Sequence, residues 1–237
     1  MQPTRLTGES PEYVRRREEL RVAEIDLMRQ RESVAALRRA LPPGQVMPDY
    51  QFQEGPADLG AGDEPVREVK LSELFTAPGR SLVVYHLMFG KRQEAACPMC
   101  TLWIDGFNVA AHHLAQNVDF AVAAAADPAT LRAHARRRGG QQLRLLSCGD
   151  STFKFDLGSE DEEGNQDSAV SVFTRDADGT VRHSYTAHPR MSEEIDQRGI
   201  DLLCPVWHVL DLTPEGRGEW FAELEYTPLV GTGAGSV

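Results

Sequence analysis

An apolar run that ends just ahead of a Cys-x-x-Cys pair constrains this chain more than any other feature: Ser81-Leu82-Val83-Val84-Tyr85-His86-Leu87, then Cys97-Pro98-Met99-Cys100. The run is short, β-branched and aromatic, which marks a buried strand. Proline is tolerated at the first position of a helix because the N–H it lacks would have no partner there, so Pro98 puts Cys97 at a helix cap. Leu102, Trp103, Phe107, Ala110 and Leu114 continue that helix. A strand feeding a pair that opens a helix is the setting in which two thiols serve dithiol redox chemistry rather than metal binding.

Further elements alternate around this unit. Tyr50-Gln51-Phe52 reads as a short strand, Val66 to Leu71 as an exposed one, and Ser72 as the cap of a short helix through Leu74 and Phe75. Val118 to Ala123 is a strand, Asp127-Pro128-Ala129 caps a helix ending at Gly139-Gly140, and Leu143 to Ser147 is a third core strand followed by a short element to Leu157. Ser159 to Asp167 is acidic and lacks periodicity, the pattern of a mobile loop. Ala169 to Arg175 and Thr180 to Thr186 flank Asp176-Ala177-Asp178-Gly179, a hairpin signal. A last helix is expected from about Met191 to Leu203. A β-α-β half followed by a β-β-α half, with the cysteine pair after the first central strand, is the order of a thioredoxin-like α/β fold. The leading strand pair resembles the opening of peroxiredoxin-type thioredoxin folds.

Ahead of this domain, Ser10-Pro11-Glu12 starts a long helix, with a hydroxyl cap, proline in the first turn and then an acid. Tyr13, Leu20, Leu27, Val34 and Leu41 recur every seven residues before Pro42-Pro43-Gly44 ends it. The companion heptad positions Arg16, Ala23, Gln30 and Leu37 are mostly polar, so a brace along the domain and a homodimer-forming helix both stand as readings. The organisation expected is a helical extension over 1–44, a thioredoxin-like domain over 45–230 and a disordered tail over 231–237.

Bulk properties narrow the partners. A chain of 237 residues with 41% hydrophobic residues can build a proper core without disulfide staples. The formal charge of −11 and the lack of a long basic stripe argue against nucleic acid or an anionic membrane as partner. No stretch approaches a membrane span, and the first thirty residues are polar where a signal peptide would be apolar. A cytoplasmic location is therefore expected, where Cys97 and Cys100 would rest as a dithiol.

With these residues in view, the chain resembles the bacterial family DUF899, described as predicted dithiol-disulfide oxidoreductases. The resemblance rests on Val83-Val84-Tyr85-His86-Leu87-Met88-Phe89-Gly90, on Cys97-Pro98-Met99-Cys100-Thr101-Leu102-Trp103-Ile104-Asp105 and on Val170-Ser171-Val172-Phe173. It extends to Arg198-Gly199-Ile200-Asp201-Leu202-Leu203 and Leu210-Asp211-Leu212-Thr213-Pro214-Glu215-Gly216-Arg217. It implies the thioredoxin-like fold and redox chemistry, and names no substrate. Cys148, in place of an expected aromatic residue, Cys204, and an enlarged loop from Asp58 to Pro65 depart from it.

The expected chemistry follows from position. Free N–H groups and the helix dipole stabilise a thiolate at a helix start, which makes Cys97 the nucleophile and Cys100, one turn on, the resolving thiol. The substrate would be a disulfide-containing protein or a small-molecule thiol, and no cofactor is needed. His86, on the strand ahead of the pair, reads as a proton acceptor for the buried thiol, as a metal ligand, or as a hydrogen-bonded core histidine. The alternative function is a copper or zinc site using Cys97, Cys100 and His86, although a second cysteine pair is missing. A non-catalytic dimeric interaction module is the third reading. Glu94, three residues before Cys97, departs from the Thr-x-x-Cys pattern of peroxidases, and Gln166-Asp167-Ser168-Ala169-Val170 lacks the proline that faces the pair in thioredoxin-like oxidoreductases.

Overall fold

Both faces of the apolar run are buried, and the fold is built outward from it. In the computed structural model, which describes residues 6–139, 142–194 and 198–226, the strands are β1 (Gln51–Glu54), β2 (Arg67–Lys70), β3 (Leu82–Leu87), β4 (Asp119–Ala124), β5 (Arg144–Ser147), β6 (Ala169–Arg175) and β7 (Val181–Ala187). They form one sheet in the order β2-β1-β5-β4-β3-β6-β7. The helices are α1 (Pro11–Arg39), α2 (Pro98–Leu114), α3 (Pro128–Arg137), α4 (Phe153–Asp156) and α5 (Pro205–Leu210).

β3 is parallel to β4, and β4 to β5, each joined by a helical crossover, whereas β6 runs antiparallel to β3 and turns back as β7. This is the thioredoxin-like fold. The antiparallel pair β1 and β2, laid along β5, is the peroxiredoxin-type addition.

The strand alternation of side chains divides the interior into two cores. On one face Tyr85 and Leu87 of β3 meet Val122 and Ala124 of β4 and Met99, Cys100, Trp103 and Ile104 of α2. On the other face Leu82 and Val84 meet Ala121, Ala123, Phe52, Leu74, Phe173 and Phe153, the last carried by α4. Burying a side chain such as Phe153 contributes about 2 kcal/mol, and its edge-on contacts with Tyr50 and Phe52 fix the position of α4.

The three longest helices begin alike. Ser10 accepts from Tyr13 N at 3.1 Å and Asp127 from Thr130 N at 3.0 Å, while Cys97 caps α2, each ahead of a proline in the first turn. The chain divides into two compact units, Met1–Pro42 and Pro43–Val237. No residue of α1 is buried. Among the described residues no helix is long and apolar enough to cross a membrane.

Three expectations change. The last helix is not formed at Met191 to Leu203: a 3-10 turn at Asp201–Leu203 and α5 replace it, with residues 195–197 outside the description. Gly199 donates its N–H to Pro189 O at 2.7 Å, and a side chain there would meet His188 O at 2.0 Å, so the chain folds back on itself instead of winding up. The acidic loop, expected to be without regular structure, is folded into a turn in which Asp161 Oδ1 accepts from the backbone N–H groups of Glu163 and Asn165 at 3.1 and 2.7 Å. The short helix expected from Ser72 is a 3-10 turn over Leu71–Leu74. The tail expected over 231–237 lies outside the described residues.

The exit of β3 combines a close backbone approach with a left-handed conformation. Gly90 has φ +93°, and a Cβ there would lie 2.2 Å from Ala126 N. Gly90→Ala should cost at least about 2 kcal/mol. Gly158→Ala, with φ +69° but open space around it, should cost about 1 kcal/mol. Urea unfolding of the two variants checks the order.

Candidate functional site

Cys97 sits where the sequence places it, at the cap of α2, with extended backbone and its sulfur 3.5 Å from Cys100 N. Its own N–H donates to Met88 O at 3.0 Å, which ties the helix start to the strand exit. Its pKa falls to about 6, chiefly through the hydrogen bond from the Cys100 thiol, with the backbone N–H groups of Cys100 and Met99 adding to it. Burial and the Asp167 carboxylate act against this. A thiolate therefore predominates on Cys97 at neutral pH.

Cys100 is the complementary partner. It is buried, and burial first, then the neighbouring Cys97, push its thiol well up; Tyr85 and the Met88 N–H pull the other way. Tyr85 is itself fully buried, its hydroxyl makes no hydrogen bond of normal geometry, and burial followed by the neighbouring Cys100 raises its pKa. A buried donor left without a partner is costly, and a thiolate on Cys100 would supply one. One sulfur is ready to attack and the other holds its proton.

His86 is not part of this group. It is next to Tyr85 in sequence, so on a strand it points to the opposite face. There it stacks on Phe153 with ring centroids 5.0 Å apart, and its nitrogens meet Ser159 Oγ at 2.7 Å and Ser171 Oγ at 2.9 Å. Burial, then the nearby Lys154, hold its pKa well below the usual histidine range. The expected proton acceptor or metal ligand is thus a neutral, hydrogen-bonded core residue. Among the described residues no three His, Cys, Asp or Glu side chains are grouped to hold a metal ion, so the copper or zinc alternative on Cys97, Cys100 and His86 does not fit the donor set.

The segment ahead of β6 faces the pair without a proline. Asp167 bears on Cys97, Ser168 on Tyr85, and both follow Gln166, whose amide Nε2 donates to Gly90 O at 2.8 Å. Gln166 Oε1 accepts from Phe89 N at 3.3 Å and from Lys154 Nζ at 2.6 Å. Lys154, 1% exposed, also donates to Leu87 O at 2.8 Å. Sequence reasoning missed Lys154 and Gln166. Lys154 stands in a four-residue helix between Phe153, which is buried, and Phe155, which is exposed, and nothing local marks it as interior.

The two other cysteines are structural. Cys148 is buried, donates to Ala124 O at 3.3 Å, and burial lifts its pKa to about 12. Cys204 is buried in the core of α2, and burial raises its pKa. Trp103 donates to Ile200 O at 3.2 Å from within the same core. His112 and His113 lie in the last turn of α2, while Lys91 pairs with Glu160 and Arg92 reaches Asn165. The enlarged loop is pinned to α3 by Arg132, which reaches Asp58 O at 3.0 Å and Asp63 Oδ1 at 3.1 Å.

A family model described as a bacterial protein of unknown function, DUF899, matches residues 2–230. A comparison with curated proteins returned no match. Among solved structures, an oxidized Prx3 from Vibrio vulnificus is 18% identical with a TM-score of 0.41, covering 61% of this chain and 89% of that one. AhpC of Mycobacterium bovis is 16% identical with a TM-score of 0.46, covering 76% and 98%. A reduced 2-Cys peroxiredoxin from Plasmodium vivax is 14% identical with a TM-score of 0.44, covering 70% and 97%.

The electrostatics fix a reactivity profile. Iodoacetamide should modify Cys97 alone at neutral pH, with a rate that rises as pH passes about 6 and levels above it, because the thiolate is the reacting form. Cys148 should stay unmodified in the folded protein. Peptide mapping after timed alkylation reads both.

Proposed function

The chain belongs to the bacterial family of unknown function DUF899, and from its site we propose that it is a dithiol-disulfide oxidoreductase. The observation that carries this reading is the opposed state of two sulfurs in one helical turn: Cys97, half-buried and thiolate-prone at the cap of α2, and Cys100, buried and protonated behind it.

The Cys97 thiolate attacks one sulfur of a substrate disulfide, forms a mixed disulfide and releases the other half as a thiolate. Cys100 then loses its proton, attacks the Cys97 sulfur and expels the second half. The protein is left with a Cys97–Cys100 bridge, and two electrons have passed to the substrate. Cys97 is the only one of the four cysteines that is not buried, so the substrate must reach that sulfur. A disulfide-containing protein or a small-molecule disulfide satisfies this. The reading places the work in a reducing compartment, where the dithiol is the resting form.

Cys97→Ser should abolish disulfide exchange. Cys100→Ser should retain attack but lose resolution, so that a substrate half stays on Cys97. Intact-mass measurement of the Cys100→Ser protein after exposure to oxidised glutathione should show one glutathione added per chain, and a protein that takes up none would contradict the reading.

A further inference from the structure

Between β3 and the cysteine loop, four consecutive residues have their backbone held from outside. Leu87 O accepts from Lys154 Nζ at 2.8 Å, Met88 O from Cys97 N at 3.0 Å and Phe89 O from Ala126 N at 3.0 Å. Phe89 N donates to Gln166 Oε1 at 3.3 Å, and Gly90 O accepts from Gln166 Nε2 at 2.8 Å. Lys154 and Gln166 are themselves joined at 2.6 Å. Together they clamp the strand exit to the segment that faces the pair.

Lys154 is an unusual residue for such a place. Both acceptors it meets are neutral, and a buried ammonium without a carboxylate partner is strongly disfavoured unless its surroundings use the charge. What lies on the far side of its first acceptor supplies a use. The carbonyl it grips belongs to the Leu87–Met88 peptide group, and the N–H of that same group bears on the Cys100 thiol and favours its ionised form. Hydrogen bonds in series polarise one another, and a low local dielectric strengthens the effect.

We propose that Lys154 is a positioning residue for the resolving step, holding and polarising the Leu87–Met88 peptide so that its N–H meets the Cys100 sulfur as a thiolate forms. The inference rests on the dithiol reading. It also accounts for the location of α4, whose Phe153 packs in the core opposite Cys100 while the neighbouring Lys154 reaches the strand exit. The groups around Cys100 are Cys97, which opposes a second negative charge, and the Tyr85 hydroxyl, which favours it. Burial lowers the pKa of Lys154; Cys148, Cys100 and Glu160 favour its charged form and Lys91 opposes it, with the neutral ring of His86 close by.

An aromatic disulfide, dithiobis(nitrobenzoate), reads the two thiols separately in the full-length reduced protein. Its first nitrothiobenzoate is released when Cys97 attacks, and its second when Cys100 displaces the mixed disulfide, so the reagent is reduced and the protein oxidised by two electrons. Lys154→Met should leave the first phase and its pH profile in place. The second phase should slow about tenfold at neutral pH, its midpoint rising by about one unit, since loss of the cation disfavours the Cys100 thiolate. Lys154→Arg should recover most of the rate. Gln166→Glu, which keeps the shape but sets a carboxylate against the ammonium, should shift the second phase in the same direction, and it decides the matter if Lys154→Met does not fold. An unchanged second phase in a folded Lys154→Met or Gln166→Glu protein overturns the inference. Absence of a second phase in the unsubstituted protein overturns the dithiol reading beneath it.

Discussion

The contact between the Cys97 sulfur and the open N–H groups at the start of α2 is the interaction on which the rest of the site depends. A helix start offers donors that the helix cannot satisfy from within, and a sulfur at the cap position gains most from them as an anion. Pro98 reinforces this by occupying the first turn without needing a partner. Cys100 then falls one turn further in, where burial opposes ionisation. The difference between the two thiols is thus set first by the hydrogen bond that the Cys100 thiol gives the Cys97 sulfur, then by the helix N–H groups at the cap and by burial around Cys100.

The central strand supplies the second constraint. Its alternation sends Tyr85 and Leu87 toward the cysteines and His86 toward Phe153, Ser159 and Ser171. The sheet is therefore lined with polar groups on both sides of β3, and only those on the α2 side touch the sulfurs. Lys154 crosses this division by reaching the end of the strand rather than its face, where it donates to Leu87 O. Buried polar networks of this kind specify one arrangement because each unmade bond is costly.

Much of this was legible in the residues. All seven strands announce themselves through alternation or β-branched runs, and the serine, aspartate and cysteine caps followed by proline locate three helices. The placing of two thiols one helical turn apart, one at the cap and one inside, follows from spacing alone. For His86 the residues leave three readings, proton acceptor, metal ligand or hydrogen-bonded core histidine, and the parity of the strand selects the last. Tyr85, one residue earlier, has the right parity and was read simply as part of the apolar run. The helix expected at Met191 to Leu203 failed because Gly199 is needed for a close backbone approach, which periodicity does not register. Lys154 and Gln166 were invisible for a different reason, since their partners are backbone groups more than ten residues away in sequence.

Acting as proposed, Cys97 and Cys100 form a reversible redox couple poised at the helix cap. Stabilising the Cys97 thiolate stabilises the reduced form, so the couple should lie between the roughly −270 and −120 mV that bracket thioredoxin and stronger oxidants. The direct measurement is equilibration of the protein in glutathione buffers of graded ratio, with the bridge identified by peptide mapping. One disulfide, joining Cys97 to Cys100, should form and titrate reversibly within that window. A protein that forms no bridge, or one that links Cys97 to Cys148 or Cys204 instead, would contradict it.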